Sequence, residues 1–378
     1  MKIALIVPGF SAGESDWCIP ALLDFVRVVA ARDEMHVFAL RYPHRVDRYA
    51  VYGATVHSLN GVGAGGLGSP ALWARAVRAV AAEHRRGRFD VLHAFWAYEP
   101  GPVAAWAGRR LGVPVVTSLA GGELARMPRL GYGLQLSPHR RLLIRLALRS
   151  AQATTAGSVY LQHMAQSMGR QTVRAPLGVD TAMFSASTET RLPKENGFLD
   201  ILHVGSLMPV KGHEELIEAF GIASREAPGL RLRLAGADTS HLRPALEGQI
   251  AGLGLAGRVE FLGEVPHEAL PGLYRSSDCL IQSSWHEAQG MAVLEAAACS
   301  VPAVGTRVGI LAEIMPEEWL APPGDVNALA ALLVRIAQRP QALPELGRAL
   351  RARVEPGLSV EVCAERLRGV YLKAIDRT

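Results

Sequence analysis

Two carboxylates eight residues apart, Glu287 and Glu295, lie in 286-HEAQGMAVLEAAACSVPAVGT-306 on either side of a Gly-Met-Ala that reads as the start of a helix. The first amides of a helix have no partner within it and share one end of its dipole, so Met291, Ala292 and Val293 after Gly290 would form an anion site that suits a diphosphate. Five residues on, at about 1.5 Å per residue, Glu295 falls roughly 7.5 Å along the axis. That is about the offset from a nucleotide's phosphates to its ribose hydroxyls, which a carboxylate accepts well. Glu287, ahead of the helix, would face the group beyond the phosphates, and in a nucleotide-sugar that group is the sugar. The plainer alternative makes Glu295 a partly exposed helix residue and Glu287 a capping or surface acid.

A second stretch, 204-VGSLMPVKGHEELIEAF-220, reads as a strand end, a loop through Gly205 and Ser206, then Lys211 and a helix. It is not a phosphate-binding G-x-x-x-x-G-K-[ST] loop, because Lys211 precedes Gly212 and no Ser or Thr follows to hold magnesium. Gly205 would let backbone approach an anion, and Lys211 supplies a mobile positive charge. A tight turn plus a surface lysine is the alternative.

The elements that would position these groups alternate between short apolar runs and amphipathic stretches, the pattern of an α/β fold with parallel sheets. KIALIVPG, HVFAL, ATVHSL, DVLHAFW and VPVVTSL read as strands of a first unit, and LDILHVGS, LRLRLAG, VEFLGEV, DCLIQSS and VPAVGT as strands of a second. The polar stretch 185-SASTETRLPKENGFLD-200 reads as a linker. The expected architecture is two Rossmann-like, doubly wound domains, 1–184 and 185–358, facing each other across a cleft. The segment 359–378 has apolar residues at Val360, Cys363, Ala364, Leu367, Val370, Tyr371, Ala374 and Ile375, a helical stripe that could return to the first domain.

With 378 residues, two cores are expected, and 49% hydrophobic residues can fill both. No run of about twenty apolar residues exists to span a bilayer. The opening MKIALIVPGF reads as a buried strand rather than a signal peptide. Cys18, Cys279, Cys299 and Cys363 show no C-x-x-C or Cys/His spacing, so neither a disulfide framework nor a zinc site is expected, and a reducing cytoplasm fits. The net charge of +5 is uneven: between Arg126 and Arg149 there are six arginines and no acid. Leu142, Leu143, Leu146 and Ala147 alternate with those arginines at helical spacing, which reads as a solvated helix face or as attraction to anionic lipid or a phosphorylated acceptor. Aromatic residues are not interleaved with the basic ones, so nucleic acid is not expected as a partner.

Together the two site stretches resemble the retaining glycosyltransferases of family 4, which have the GT-B fold. The likeness covers nearly the whole chain. It rests on the E-x7-E pair Glu287 and Glu295, followed by EAAACSVPAVGT, and on VGSLMPVKG, RVEFLGEVPHEALPGLYRSSDCLIQSS, LAPPGDVNALA and APLGVDTAMF in the expected order. The resemblance implies that Glu295 binds the donor ribose and Glu287 the transferred sugar's hydroxyls. It further implies that Lys211 neutralises the leaving diphosphate, with Gly205 and Ser206 beside it. Gly290, Met291 and Ala292 would offer amides, and the backbone of Gly263, Glu264 and Val265 would hold the base. No metal and no other cofactor is implied, since the lysine and helix amides take the charge a cation would take.

Two positions depart from the family pattern. Ser206 stands where an arginine is common, and in 116-VTSLAGGE-123 Ala120 stands where a histidine touches the sugar. Glu123 matches the acid that follows. Gly9, Phe10, Ser11 and Gly13 of 8-PGFSAGESDW-17, with His93, Gly121 and Glu123, are expected on the acceptor side, His93 being equally readable as a polar strand-end residue. The G-x-G-x-x-G in 61-GVGAGGLG-68 follows two earlier strands and reads as a flexible acceptor-side loop rather than a dinucleotide fingerprint.

The function expected is a retaining transfer of sugar from a nucleotide-sugar, UDP- or GDP-linked, to the hydroxyl of a glycan, lipid-linked or small-molecule acceptor. It would take place in the cytoplasm or at the inner face of the membrane. A GT-B nucleotide-sugar epimerase and a catalytically silent sugar-nucleotide-binding module are the alternatives. The oligomeric state is left open.

Overall fold

The structure, a computed structural model, describes residues 1–63, 69–186 and 198–377. Residues 64–68 of the glycine-rich stretch and 187–197 of the expected linker lie outside them. By contact the chain divides into two units, Met1–Gly178 with Val360–Thr378, and Val179–Ser359.

In the first unit the strands are β1 (Lys2–Gly9), β2 (Glu34–Tyr42), β3 (Val46–Val51), β4 (Ala54–Leu59), β5 (Val91–Phe95), β6 (Val115–Leu119), β7 (Ala153–Ala156) and β8 (Val173–Arg174). They form one sheet in the order β3-β4-β2-β1-β5-β6-β7-β8. Parallel strands are covered on both faces, which is why the unbroken apolar run Ile3 to Val7 is fully buried. Alternation then sorts its side chains. Ile3, Leu5 and Val7 pack with Leu22 and Val26 of helix α1 (Pro20–Ala30) and with Leu367 and Val370 of the C-terminal helix Val360–Ile375. Ala4 and Ile6 pack with Ala76 and Val80 of α2 (Ser69–Arg86) and with Val103 and Ala104 of α3 (Pro100–Leu111).

One strand of this sheet is antiparallel, contrary to the all-parallel expectation. β3 pairs with β4 through a two-residue turn at Tyr52 and Gly53, both at positive φ (46° and 82°). That combination defines the hairpin turn whose twist matches its strands. Val46, Asp47 and Arg48 are exposed, as suits a charged strand closing a sheet edge.

Helices α4 (Pro138–Ser150) and α5 (Val159–Ser167) complete the unit. α4 differs from the stripe expected of it. It buries Ile144, Ala147 and Leu148, while Leu142 (56% exposed) and Leu146 (51%) stand in solvent among Arg141, Arg145 and Arg149. Ala147 sets this rotation, because it packs so tightly on α3 that a side chain at Gly101 would come within 2.7 Å of its Cβ.

The second unit has β9 (Leu199–Val204), β10 (Leu230–Ala235), β11 (Val259–Gly263), β12 (Cys279–Gln282), β13 (Ala303–Thr306) and β14 (Leu320–Ala321), parallel throughout in the order β11-β10-β9-β12-β13-β14. Its helices are α6 (His213–Glu226), α7 (Arg243–Gly252), α8 (Leu270–Ser276), α9 (Met291–Ala298), α10 (Leu311–Ile314), α11 (Val326–Gln338) and α12 (Leu343–Leu358). The unit starts at Val179 rather than at 185. Val179 N donates to Leu358 O (3.0 Å), Asp180 caps the amides of Ala182 and Met183, and Phe184 packs edge-on against His267 and Tyr274.

Strand order reverses between β9 and β12, and loops leaving the carboxyl ends at such a switch point diverge to leave a crevice. The loops there are Gly205–Lys211 and Ser283–Gly290, the two stretches that carry the chemistry. No described helix in either unit is long and apolar enough to cross a membrane.

Candidate active site

The crevice at β9 and β12 brings Lys211 and Glu287 together. Lys211 Nζ lies 2.6 Å from Glu287 Oε1, and Ser284 Oγ donates to the same oxygen at 2.7 Å. The loops are sewn to each other: Ser283 Oγ donates to Lys211 O (2.8 Å) and Trp285 N to Val210 O (2.8 Å). Gly212 sits at φ 69°, and a Cβ there would lie 2.3 Å from Ser283 O, so only glycine permits this approach. Burial alone would raise the Glu287 carboxyl. The Lys211 ammonium, with its hydrogen bond and that of Ser284, holds it below the usual carboxylate range instead.

Below the loop, His203 Nδ1 lies 3.0 Å from Ile281 O. A carbonyl only accepts, so Nδ1 carries the proton and Nε2 the lone pair. Burial pushes this imidazole down to about 4, keeping it neutral beside Lys211. His213, also lowered by burial, packs edge-on against it at 4.6 Å.

Gly290 takes a left-handed conformation (φ 94°) just before α9. A Cβ on it would meet Gln282 Oε1 at 2.9 Å and Glu287 Cβ at 3.9 Å, so the start of α9 adjoins the Lys211–Glu287 pair. Val293 N donates to Gly290 O at 3.2 Å, which corrects the expectation of three unpaired amides there. Met291 and Ala292, the first two residues of α9, are half-buried there.

Glu295 is buried (7% exposed) and accepts the Tyr274 hydroxyl at 2.7 Å, which excludes the partly exposed helix residue. Farther along the crevice a cavity of about 210 Å³ is lined by Leu207, Gly236, Asp238, Phe261, Gly263 and Glu264. Val265 follows, half-buried, and Ser206 lies half-buried between Gly205 and Leu207, whose amides bond to the backbone of Ala235 and Ala237.

In the first unit the reversal of strand order falls between β1 and β5, but several side chains expected on the acceptor side are spent elsewhere. Phe10 (1% exposed) belongs to the core, and the Ser11 side chain is buried, its carbonyl accepting the Tyr49 hydroxyl at 2.8 Å. Gly9 is buried against Tyr42; only Gly13 of that group reaches the loop surface, where its carbonyl accepts Asp16 N. Glu123 is buried and accepts the amides of Ala97 (3.2 Å), Ala120 (3.2 Å) and Gly121 (2.7 Å), so it staples two loops. Burial raises its carboxyl against the pull of those amides. The Gly121 backbone packs against the Trp96 indole, where a Cβ would come within 3.0 Å.

His93 corrects the sequence reading most sharply. It lies in the middle of β5, fully buried, with Nδ1 2.8 Å from the Tyr371 hydroxyl and Nε2 2.7 Å from Ser118 Oγ, which continues to Thr155 at 2.6 Å. Burial lowers it to about 3, so it is a neutral core residue that ties the C-terminal helix to β5, β6 and β7 and cannot meet an acceptor. Tyr371→Phe is expected to cost about 1–3 kcal/mol, since it strands a buried ring nitrogen. Urea unfolding checks this, and a change under about 0.5 kcal/mol, the scale of a neutral surface substitution, would remove the relay from the account.

Residues 21–177 match the family described as Glycosyl transferase 4-like domain, and residues 187–353 match Glycosyl transferases group 1. The chain belongs to the family 4-type glycosyltransferases of GT-B fold. A D-inositol 3-phosphate glycosyltransferase from Geodermatophilus obscurus is 30% identical over 280 residues, covering 68% of this chain and 62% of that one, so the chain spans less than two thirds of that relative's length. The sucrose-phosphate synthase structure from Thermosynechococcus elongatus aligns over 100% of both chains with a TM-score of 0.81 at 22% identity. The Anabaena HepE structure in complex with UDP and glucose aligns over 99% of this chain and 100% of that one with a TM-score of 0.76 at 21% identity. At such identities these two likenesses bear on the fold.

Several residues of this family 4-type chain that shape the crevice escaped the sequence reading. Ser283 and Ser284, just past β12, and Thr306, the last residue of β13, whose hydroxyl donates to Ser284 O (2.7 Å), are brought together by the pairing of β12 with β13. Gly309 is another, since a Cβ there would lie 2.4 Å from Gln289 O. The paired serines closing 278-DCLIQSS-284 and the small residues closing VPAVGT were the available signal: small polar groups at the carboxyl ends of buried parallel strands.

Proposed function

We propose that this chain is a retaining, metal-independent glycosyltransferase that moves a sugar from a UDP- or GDP-sugar to the hydroxyl of a glycan, lipid-linked or small-molecule acceptor. The observation that carries the reading is the Lys211–Glu287 pair at 2.6 Å beside the start of α9. A diphosphate placed there meets the Lys211 ammonium and the Met291 and Ala292 amides, charge stabilisation that replaces a cation. Glu295, fixed by Tyr274, takes the ribose, Glu287 the sugar hydroxyls, and the cavity at Gly263 the base. In the transfer the bond from the anomeric carbon to the phosphate oxygen breaks, the bond to the acceptor oxygen forms on the same face, and the acceptor proton passes to the departing phosphate.

Calorimetric titration of UDP-, GDP-, ADP- and TDP-sugars tests the donor side. One donor is expected to bind, and Glu295→Ala to weaken it at least tenfold, about 1.4 kcal/mol. Equal binding by the variant would sink the assignment of Glu295.

The chain is further proposed to work in the cytoplasm at the inner face of the membrane. The support is on α4, where exposed Leu142 and Leu146 stand among arginines: apolar groups that can enter the headgroup region and cations that attract anionic lipid. Arg140→Glu with Arg145→Glu is expected to abolish sedimentation with phosphatidylserine vesicles, and unchanged sedimentation would end that idea.

A further inference from the structure

The sequence offered no metal site because its cysteines and histidines lack ligand spacing, yet the first unit gathers ligands from three elements. His36 on β2 and His57 on β4 lie on neighbouring parallel strands, with Phe38 opposite His57. Their side chains share the face covered by α2, which brings Glu83, and all three residues are buried. His36 Nδ1 is 3.0 Å from His57 Nε2, and one ligand atom from each of the three residues lies within 4.8 Å of the others. We propose that His36, His57 and Glu83 bind one divalent transition-metal ion of the zinc class, which pins the β3–β4–β2 edge of the sheet to α2.

The rings are held for this task. His57 stacks on Phe38 (4.5 Å, 8°), and His36 meets the edge of Phe89 (5.4 Å, 80°), so neither ring turns freely. His36 Nε2 is 3.1 Å from Glu34 Oε1. A carboxylate only accepts, so Nε2 carries the proton and Nδ1 presents its lone pair toward His57, the way an outer carboxylate orients a ligating imidazole. Two atoms bound to one tetrahedral zinc at about 2.1 Å stand about 3.4 Å apart. The imidazole pair is within a few tenths of an ångström of that spacing. Glu83 can close on the pair by a side-chain torsion, and its partners Arg86 (68% exposed) and Arg48 (59%) can move into solvent as it does. Two neutral imidazoles and a carboxylate, without thiolate, suit zinc and its neighbours. The site uses none of the residues assigned to the donor.

The test is zinc titration of the full chain, stripped with EDTA, against a chromogenic chelator. Wild type is expected to take up one equivalent, His57→Gln to lose it, and Glu34→Gln, which takes the outer carboxylate from His36 Nε2 along with the Lys2 ion pair, to weaken it about 10- to 100-fold. Added zinc should raise the Tm of wild type and leave that of His57→Gln unchanged. No uptake by wild type, or equal uptake by His57→Gln, overturns the site. X-ray absorption on zinc-loaded wild type keeps the test independent of variant folding: two imidazoles in the coordination shell support the assignment, and fewer than two overturn it.

Discussion

Lys211→Ala is expected to lower kcat/KM for the nucleotide-sugar by about 10²–10³-fold, the loss of roughly 2.7–4 kcal/mol typical when a preorganised charge is taken from a transition state. Departing diphosphate carries more localised charge than bound donor, so kcat falls along with affinity. Glu287, 14% exposed at its side chain, also loses its ion partner, which should cost the free second unit about 1–3 kcal/mol. Lys211→Met combined with Glu287→Gln removes both charges, and it should recover much of that stability without recovering turnover. A single variant within about threefold of wild type, well under 1 kcal/mol, would take Lys211 out of the mechanism. Because the folded-state pKa of Glu287 is depressed, the pair contributes stability above the carboxyl's unfolded pKa, and that stability is lost as pH falls through the lower folded value.

Gly236→Ala is expected to destabilise the second unit by about 2–5 kcal/mol and to abolish donor binding, through backbone strain and overlap. Gly236 lies at φ 153°, and a Cβ on it would sit 2.0 Å from Gly205 O and 2.5 Å from Gly205 C. Alanine can fit only if the Gly205–Ser206 loop moves away from β10, carrying the wall of the base cavity with it. The control is Gly205→Ala, whose Cβ would meet His203 Nε2 and Lys211 Cδ at 3.5 Å, ordinary contact. Thermal melts should separate them, with a fall of roughly 5–15 °C for Gly236→Ala and little change for Gly205→Ala. Equal melting temperatures would mean the loop yields at no cost.

What could be read from sequence followed from burial. β1, β2, β5, β6, β9, β12 and β13 are visible because a parallel strand covered on both faces needs an apolar run, whereas β4 (ATVHSL), β10 (LRLRLA) and β11 (VEFLG) are visible as shorter or alternating apolar stretches. β3 is not, because an edge strand reading VDRYAV has no such run; β7 reads ATTA, without a large apolar side chain, and β8 and β14 are two residues each. Lys211 and Glu287 were legible as charges at strand-to-helix junctions, and Glu295 as a carboxylate inside the helix that follows the second of them. Gly236 was not, since its partner Gly205 is opposite it only after β9 and β10 pair. His93 misled because a histidine near a strand end looks the same in sequence whether it faces solvent or a tyrosine 278 residues away. The His36, His57 and Glu83 cluster was missed for the opposite reason: local spacing says nothing about ligands that a sheet and a helix bring together.

The two units differ in how the chain supplies them. Val179–Ser359 is one uninterrupted stretch, whereas the first unit takes its Leu367, Val370 and Tyr371 from the last helix. On the ribosome the second unit has all of its residues before the first can close its core. The usual N-terminal-first order of domain completion is therefore reversed here, and for the whole time the second unit is being made, the face of β1 and β5 that the C-terminal helix will cover stays without its lid.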